Sequence, residues 1–304
     1  MEKVVVIGSS NTDMVVTTAT MPKPGETVFG TVFIVHQGGK GANQAVAAAR
    51  AGAQVTFIAK VGNDEFGQNA ISAYQEDGID TSHVLVDDQL STGVAMITVD
   101  QTTGENSIIV VSGANAALLP DEVKGLEDVI RSADVLLVQL EIQLETVKTA
   151  LALAKKYGVK TILNPAPAGI LSHDLLKLVD ILIPNETEAE QLSGRQLLDM
   201  ESKKRVVSEL LVHVDEAVIL TMGAQGVLQK MKNENEQIIT AQKVKAIDTT
   251  AAGDVFCGYL ASCLSDNVAI TEAIEVAKNA AAIAVTRRGA QPSIPFINEL
   301  SKSK

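Results

Sequence analysis

The segment with the strongest chemical signature is Asp-Thr-Thr-Ala-Ala-Gly-Asp at residues 248–254. Its small residues lead directly into a predicted helix at residues 255–264 and let a ligand approach the backbone closely. Free N–H groups at a helix N-terminus favour an anion. A carboxylate beside such an anion site, here Asp254, has the placement needed to take a proton from a hydroxyl that attacks a phosphoryl group. The competing interpretation is that Asp254 only caps the helix.

A second glycine-rich segment, Gly-Gly-Lys-Gly-Ala-Asn-Gln at residues 38–44, opens another predicted helix. It is not a P-loop, because Gly41 rather than Ser or Thr follows Lys40, and Ile34 stands where the first glycine belongs. The third glycine of a dinucleotide-binding pattern is missing as well. The segment therefore either brings Lys40 and Asn43 to a polar ligand or is a plain loop with a solvated lysine.

Further polar groups follow other predicted strands. Asn11 and Asp13 come just after the first strand, where they either hydrogen-bond vicinal hydroxyls or only form a turn. Glu141 ends another strand and can place one carboxylate in the same site. Asn185 and Glu188 begin a helix, where acidic residues either complement the helix dipole or orient Mg²⁺ through water.

These groups need a scaffold that brings strand ends together. Short apolar strands alternate with helical patterns, which is typical of βαβ units and a mostly parallel sheet. Ligands of such sheets bind outside the carboxyl ends of the strands. The predicted strands are residues 4–7, 55–58, 135–138, 161–163, 181–183 and 218–220. The predicted helices are residues 42–51, 66–77, 144–156, 188–192, 255–264 and 270–285.

Two segments, residues 12–36 and 92–111, break this alternation. The first has alternating Thr, Val and Phe residues. In the second, Val94, Met96, Thr98 and residues 108–111 flank a turn at residues 101–106. Both patterns predict antiparallel β-structure without intervening helices. We expect a small accessory sheet, either a lid or an interaction surface. Since no flexible linker is present, residues 1–304 are expected to form one domain that includes these segments.

Composition excludes several classes of function. Hydrophobic residues make up 46% of the 304 residues and aromatic residues only 3%, which predicts an aliphatic core. A net charge of -12 does not favour nucleic acid or an anionic membrane as a partner. No apolar run is long enough for a transmembrane helix, and no signal peptide is expected. Two cysteines exclude a disulfide framework and favour a reducing cytoplasm.

Taken together, the motifs resemble the ribokinase-like carbohydrate kinase family, which includes adenosine kinase and the minor bacterial phosphofructokinase. The resemblance spans nearly the whole chain and rests on five stretches in order, residues 38–44, 164–167, 184–190, 248–254 and 284–293. Chance agreement at all five is very improbable. The resemblance therefore favours a functional role for these segments over the cap, loop, turn and dipole alternatives. The resemblance implies an α/β fold: a three-layer α/β/α core with a mostly parallel sheet and a small β-sheet lid. Lids in this family often pair between subunits, which favours a homodimer.

The resemblance also implies ATP-dependent phosphorylation of D-ribose at O5, with Mg²⁺ and a monovalent cation, usually K⁺. Asp254 corresponds to the general base, and the N–H groups of Ala252, Gly253 and Asp254 correspond to the anion hole. The sugar-binding positions are Asn11, Thr12, Asp13, Gly39, Lys40, Gly41, Ala42, Asn43, Glu141 and Asp254. The ATP-binding positions are Asn185, Thr221, Met222, Gly223, Ala224, Gln225, Gly226, Gly253 and Asp254. The K⁺ positions are Asp248, Thr250, Ala284, Arg287, Gly289 and Ser293, several through backbone carbonyls, and Glu188 is an indirect Mg²⁺ position.

Two alternatives stay open. One is a kinase for another furanose, such as deoxyribose or a nucleoside. Asn11, Asp13 and Asn43 suggest several bound hydroxyls, which favours ribose over deoxyribose. The other is a non-catalytic sugar or nucleotide sensor on the same fold. The presence of Asp254 and Lys40 argues against it, because a sensor does not need a base.

Overall fold

The computed structural model describes residues 3–300. Its strands, in chain order, are β1 (Lys3–Ile7), β2 (Asn11–Thr18), β3 (Gly30–Gly38), β4 (Gln54–Gly62), β5 (Val84–Asp87), β6 (Gly93–Asp100), β7 (Asn106–Val111), β8 (Val135–Val138), β9 (Lys160–Leu163), β10 (Ile181–Leu182), β11 (Ala217–Thr221), β12 (Val227–Met231) and β13 (Gln237–Ile239). Its helices are α1 (Lys40–Arg50), α2 (Glu65–Glu76), α3 (Pro120–Lys124), α4 (Glu127–Arg131), α5 (Leu144–Tyr157), α6 (His173–Leu176), α7 (Glu186–Ser193), α8 (Met200–Leu211), α9 (Ala252–Ser265), α10 (Ile270–Ala284) and α11 (Ile297–Leu300). Short 3-10 turns lie at Gly113–Ala117, Gly223–Gln225 and Gln291–Ser293.

The larger sheet has nine strands in the order β13-β12-β11-β10-β9-β8-β1-β4-β5. All neighbours from β11 to β5 are parallel, whereas β12 and β13 add an antiparallel edge. The central strands are continuous apolar runs because helices cover both of their faces. The prediction of a mostly parallel sheet is confirmed.

Two helical layers enclose this sheet, because successive side chains of a strand point to opposite faces. Val4 and Val6 of β1 belong to the core that packs against α1, α2, α9 and α10. Val5 and Ile7 belong to the core that packs against helices α3 to α8. The predicted three-layer α/β/α architecture is therefore confirmed.

The second sheet has four strands in the order β3-β2-β6-β7. Strands β2 and β3 pair antiparallel, as do β6 and β7, so the expected antiparallel structure holds within each segment. Between the segments, β2 and β6 pair parallel, and the expected small accessory sheet is confirmed. Both strands begin at the same place beside the core, where Asn11 is paired with Gly93, and they run outward together.

The sequence patterns missed β5, β12, β13, α3, α4, α6, α8 and α11, and they placed the starts of four helices too late, those of α1, α2, α7 and α9. Helix α1 begins at Lys40 and α9 at Ala252, two and three residues before the predicted starts. These first turns carry groups of the candidate site, so the earlier starts place those groups on helices. Among residues 3–300, no helix has the length and apolar character needed to cross a membrane.

Candidate active site

Helix α9 begins with unused hydrogen-bond donors. Its N-cap residue is Ala251, which has φ 61 and provides no side-chain cap. Within the described chain, the N–H groups of Gly253 and Asp254 donate to no acceptor, whereas that of Ala252 donates to the Thr249 carbonyl at 3.3 Å. Two free donors at a helix N-terminus form a site that favours an anion.

The Asp254 carboxylate is turned toward α1 and is only 6% exposed. Its Oδ2 accepts a hydrogen bond from Asn43 Nδ2 at 3.0 Å, and its Oδ1 accepts one from Gln44 Nε2 at 2.9 Å. The two helices approach closely at Gly258, where a Cβ would lie 2.5 Å from the Gln44 carbonyl oxygen. The interpretation of Asp254 as a helix cap is therefore wrong, because its carboxylate is held by a second helix.

Burial raises the pKa of Asp254, although its amide donors and the Lys40 ammonium act in the opposite direction. A raised pKa increases the affinity of the carboxylate for a proton, which suits a general base working near neutral pH. Burial disfavours the charged form of Lys40, but three carboxylates outweigh that effect and raise its pKa. They belong to Asp254, Glu141 and Glu188.

Two glycines at the start of α1 allow the loop after β1 to pack closely against it. Gly39 has φ 87, and a Cβ at Gly41 would lie 2.4 Å from the Ser9 nitrogen. This approach lets the Lys40 N–H and the Ser9 hydroxyl both donate to Glu141 Oε2, at 2.9 and 2.6 Å. A plain loop with a solvated lysine is therefore wrong for residues 38–44, since Lys40 is helical and partly buried.

Asp13 lies on β2, on the same face as Asn11, because side chains two positions apart share a face of a strand. Its carboxylate packs over Gly38, where a Cβ would lie 2.2 Å from Asp13 Oδ2. Burial raises the pKa of Asp13 to about 6, and the charges of Glu141 and Asp254 add to this effect. The structure thus brings Asp13 into one electrostatic cluster with the other predicted sugar-binding carboxylates.

A cavity of about 200 Å³ lies in front of the α9 N-terminus. Its polar lining includes Lys40, Asn164, Asn185, Glu188, Thr221 and Asp254. Asn185 and Glu188 form a capping box at α7: Asn185 Oδ1 accepts from the Glu188 N–H, and Glu188 Oε2 accepts from the Asn185 N–H, both at 2.8 Å. The pair thus caps α7, and both residues also face the cavity. Burial raises the pKa of Glu188.

The predicted ATP loop follows β11. Thr221 lines the cavity, but Met222 is only 3% exposed and its side chain packs in the core. The 3-10 turn Gly223–Gln225 is exposed, and Gln225 Oε1 accepts a hydrogen bond from Lys203 Nζ at 3.0 Å. Lys203 is buried and also pairs with Glu186 at 2.6 Å, so it ties this loop to α7.

The predicted cation site draws on two adjoining loops. Asp248 Oδ1 accepts from the Thr250 hydroxyl at 2.6 Å, and Asp248 Oδ2 accepts from the Gly289 N–H at 2.9 Å. Burial acts to raise the pKa of Asp248, but these donors outweigh it and lower the pKa. The structure therefore keeps an ionised carboxylate where the two loops meet.

The remaining predicted cation positions lie on the second loop. The Ala284 carbonyl accepts from the Arg287 N–H at 2.9 Å, and the Arg287 guanidinium pairs with Glu299 at 2.5 Å. The Ser293 hydroxyl donates to the Ala290 carbonyl at 2.7 Å. Because the Arg287 side chain turns to Glu299, only its backbone carbonyl suits a cation.

Sequence reasoning missed the residues that hold the predicted site residues in place. Gln44 Nε2 also donates to Asn164 Oδ1 at 3.1 Å, and Gln44 Oε1 accepts from Gln139 Nε2 at 2.6 Å. Asn115 Nδ2 donates to Asn11 Oδ1 at 2.7 Å. Gln44 and Asn164 stand inside motifs that carried the family resemblance, so a signal for them was present. No pattern in the sequence marks Asn115.

The sequence pattern of pfkB family carbohydrate kinases matches the chain over residues 1–297. The chain is 47% identical over 294 residues to a ribokinase of Haemophilus influenzae, an alignment that covers 97% of this chain and 95% of the relative. It is 41% identical over 304 residues to a ribokinase of Staphylococcus aureus, covering 99% of each. The structure of Arabidopsis thaliana ribokinase complexed with ribose and ATP matches it with a TM-score of 0.93 at 30% identity, covering 99% and 97% of the two chains. With the fold and the Asp254 site already established, these matches show that the chain belongs to the pfkB family of carbohydrate kinases.

Proposed function

We propose that this protein transfers the γ-phosphoryl group of ATP to O5 of D-ribose. The observation that carries the proposal is the buried Asp254 carboxylate beside the two unused N–H groups of Gly253 and Asp254. A base next to an anion site is the arrangement that phosphoryl transfer to a hydroxyl requires. The ribokinases among the relatives support ribose as the acceptor.

In this mechanism Asp254 takes the proton of the O5 hydroxyl as the bond from O5 to the γ-phosphorus forms. The bond from that phosphorus to the oxygen bridging to the β-phosphate breaks on the opposite side. The N–H groups of Gly253 and Asp254 stabilise the charge on the moving group, and Lys40 adds a positive charge nearby. Asn43 and Gln44 keep the base oriented throughout.

The sugar lies, in this proposal, between β2 and the start of α1. Asn11, Thr12, Asp13 and residues 39–43 contact it, with Glu141 closing the set. One of these residues offers a buried oxygen without a hydrogen-bond partner in the described chain, Asn43 Oδ1. Unpaired buried oxygens of this kind are stabilised when hydroxyl groups donate to them. This supports a ligand that carries a hydroxyl group.

ATP occupies the cavity at the α9 N-terminus and extends toward Thr221 and the turn Gly223–Gln225. Asn185 contacts the nucleotide, and Glu188 would hold the water shell of Mg²⁺, whose charge would neutralise the phosphates. Asp248 and Thr250, with carbonyls of the loop at residues 284–293, suit a monovalent cation because the carboxylate there is held ionised. The loop that carries Asp248 and Thr250 continues directly into α9, so a bound cation would support the anion hole.

The four-stranded sheet acts in this proposal as a lid over the sugar and as the contact between two subunits. Large apolar side chains are exposed along it, including Phe33 at 63% and Ile109 at 67%. Exposed apolar surface of this kind marks an interaction site. A homodimer through the lid covers it. Since both Cys257 and Cys263 are free thiols, we place the protein in the reducing cytoplasm.

ADP release tests the function. Purified protein with Mg²⁺, ATP and K⁺ is assayed with D-ribose, 2-deoxyribose, fructose and adenosine. We expect the highest kcat/KM with D-ribose. A preference for another of these substrates would retain the mechanism and change the acceptor. Sugar binding without any turnover would contradict the enzyme and support the sensor alternative.

A further inference from the structure

Asn115 lies in the 3-10 turn Gly113–Ala117 and is 1% exposed. Its Oδ1 accepts a hydrogen bond from the Ser10 N–H at 2.8 Å. Its Nδ2 donates to the Ser10 carbonyl at 3.1 Å and to Asn11 Oδ1 at 2.7 Å. All three hydrogen bonds of this amide group are thus directed at the two residues that begin the sugar-binding segment.

Backbone groups determine which way this amide is oriented. The Ser10 N–H can only donate and the Ser10 carbonyl can only accept, so the oxygen and nitrogen of Asn115 cannot be exchanged. Asn115 therefore donates an N–H to Asn11, and Asn11 must accept it with its Oδ1. The orientation of the Asn11 amide follows from the backbone through Asn115.

This orientation leaves the Asn11 NH₂ group for a ligand. Asn11 Nδ2 donates to no group within residues 3–300, and the side chain lies on the face of β2 that also carries Asp13. Asn43 is set in the opposite sense, since its Nδ2 donates to Asp254 and its Oδ1 is buried without a partner. Asn11 thus has a fixed donor available for a ligand, and Asn43 has a fixed acceptor.

We propose that Asn115 is a positioning residue that makes Asn11 a donor toward the sugar, and that the pocket thereby selects a ligand oxygen with a free lone pair at that position. This inference rests on the proposed function, because it assigns the role to sugar binding. Gly93 supports it: a Cβ there would lie 2.2 Å from Asn11 Oδ1 and 2.3 Å from Asn115 Nδ2. The contact between the two amides needs a residue without a side chain at this point.

The test replaces Asn115 by an acceptor of the same shape. In Asn115→Asp the carboxylate still accepts from the Ser10 N–H, but it now requires a donor from Asn11. The Asn11 amide turns over and presents oxygen to the sugar. We expect the KM for D-ribose to rise by about 10-fold or more, the value of one lost hydrogen bond, while the KM for ATP stays within about twofold. A role in folding alone would lower Tm without separating the two KM values.

Further variants keep the test decisive. Asn115→Ser avoids a buried charge and is too short to reach Asn11, so a rise in the ribose KM is expected there as well. Asn69→Asp adds the same charge on an exposed position of α2 and should leave both KM values unchanged. In an Asn11→Ala background, Asn115→Ser should add nothing further to the ribose KM, because its effect acts through Asn11.

The outcomes separate this inference from the function on which it rests. Wild-type turnover of ribose together with an unchanged ribose KM in Asn115→Asp and Asn115→Ser would overturn the positioning role alone. An additional increase in the Asn11→Ala background would also overturn it. Failure of the wild-type protein to bind or phosphorylate ribose would overturn the proposed function and this inference together.

Discussion

The Gln44 side chain donates a hydrogen bond to Oδ1 of Asp254 at 2.9 Å and so links the proposed base to a second helix. The same Gln44 nitrogen donates to Asn164, and the Gln44 oxygen accepts from Gln139. Because these groups are buried, the carboxylate has a fixed orientation and its charged form is stabilised by a donor that water does not compete for. Gln44 thus contributes, together with Asn43, to both the direction and the proton affinity of the base.

Gln44→Met tests this relationship. Removing a donor to the carboxylate raises the pKa of Asp254 further, so more of the base is protonated near neutral pH. We expect kcat/KM at neutral pH to fall by roughly 10- to 100-fold, as for a lost hydrogen bond to a charged group, and its acidic limb to move to higher pH. Gln139→Met, which leaves both donors of Asp254 in place, should lower Tm without moving the limb. An unshifted limb in Gln44→Met would contradict the role of Gln44.

Asp13→Asn should stabilise the protein in a pH-dependent way. The pKa of Asp13 is raised to about 6 in the folded state, above its ordinary value of 3.8. The folded state therefore binds a proton at Asp13 more tightly than the unfolded state does, and protonation favours folding at low pH. This contribution disappears as pH rises through 6, and its loss lowers the free energy of unfolding by up to about 3 kcal/mol. We expect Tm of Asp13→Asn to exceed that of the wild type at pH 8, and the difference to shrink toward pH 4.

Two further results are expected alongside this measurement. Asp13→Asn should also lose affinity for the sugar, since the carboxylate is a proposed ligand of its hydroxyls. Asp88→Asn, on an exposed carboxylate outside the cluster, should show no such pH-dependent gain in Tm. A gain that is equal at pH 5 and pH 8 would show that ionisation of Asp13 is not its cause.

The cation proposal predicts that K⁺ raises both rate and stability relative to Na⁺. Carefully desalted protein should phosphorylate ribose faster in K⁺, and K⁺ should raise its Tm in the absence of substrates, because binding to the folded state stabilises it. Asp248→Ala should abolish both effects. Equal rates and equal Tm values in the two salts would contradict the proposed cation site.

If two subunits meet through the lid, a single charge introduced on its exposed face should disrupt the dimer. Val35, Met14, Met96 and Ile109 form one cross-strand row of the four-stranded sheet, and Ile109 is 67% exposed. Ile109→Glu should shift the protein from dimer to monomer in analytical ultracentrifugation and raise the KM for ribose. Ile170→Glu, at an 84% exposed position outside the lid, is the matched control and should remain dimeric. A monomeric wild-type protein would contradict the proposed contact.

Much of the fold and the core of the site were predictable from sequence, because they depend on local patterns. The central strands are apolar runs, and the segments at residues 38–44 and 248–254 carry glycine beside polar residues. These patterns predicted Lys40, Asn43 and Asp254 as site residues, and the structure brings the three together. They placed the starts of α1 and α9 too late, because Gly, Ala and Asp in a first turn do not show the apolar period of a helix.

The remaining features depend on contacts between distant parts of the chain. Asn115 is 104 residues from Asn11, and Gln139 is 95 residues from Gln44. Their importance lies in which backbone and amide groups they meet, and no local propensity contains that information. The parallel pairing of β2 with β6 has the same origin, since it depends on where both strands leave the core.

The most direct test of the central claim is the kcat of Asp254→Asn with ribose and ATP. Asn fills the same space and can still pack against Asn43 and Gln44, but it cannot accept the proton of O5. We predict a folded protein with Tm near the wild-type value and a kcat reduced by about three orders of magnitude or more, consistent with the loss of a general base and of its orienting role. A kcat within about 10-fold of the wild-type value, in protein shown to be folded, would contradict the assignment of Asp254 as the base.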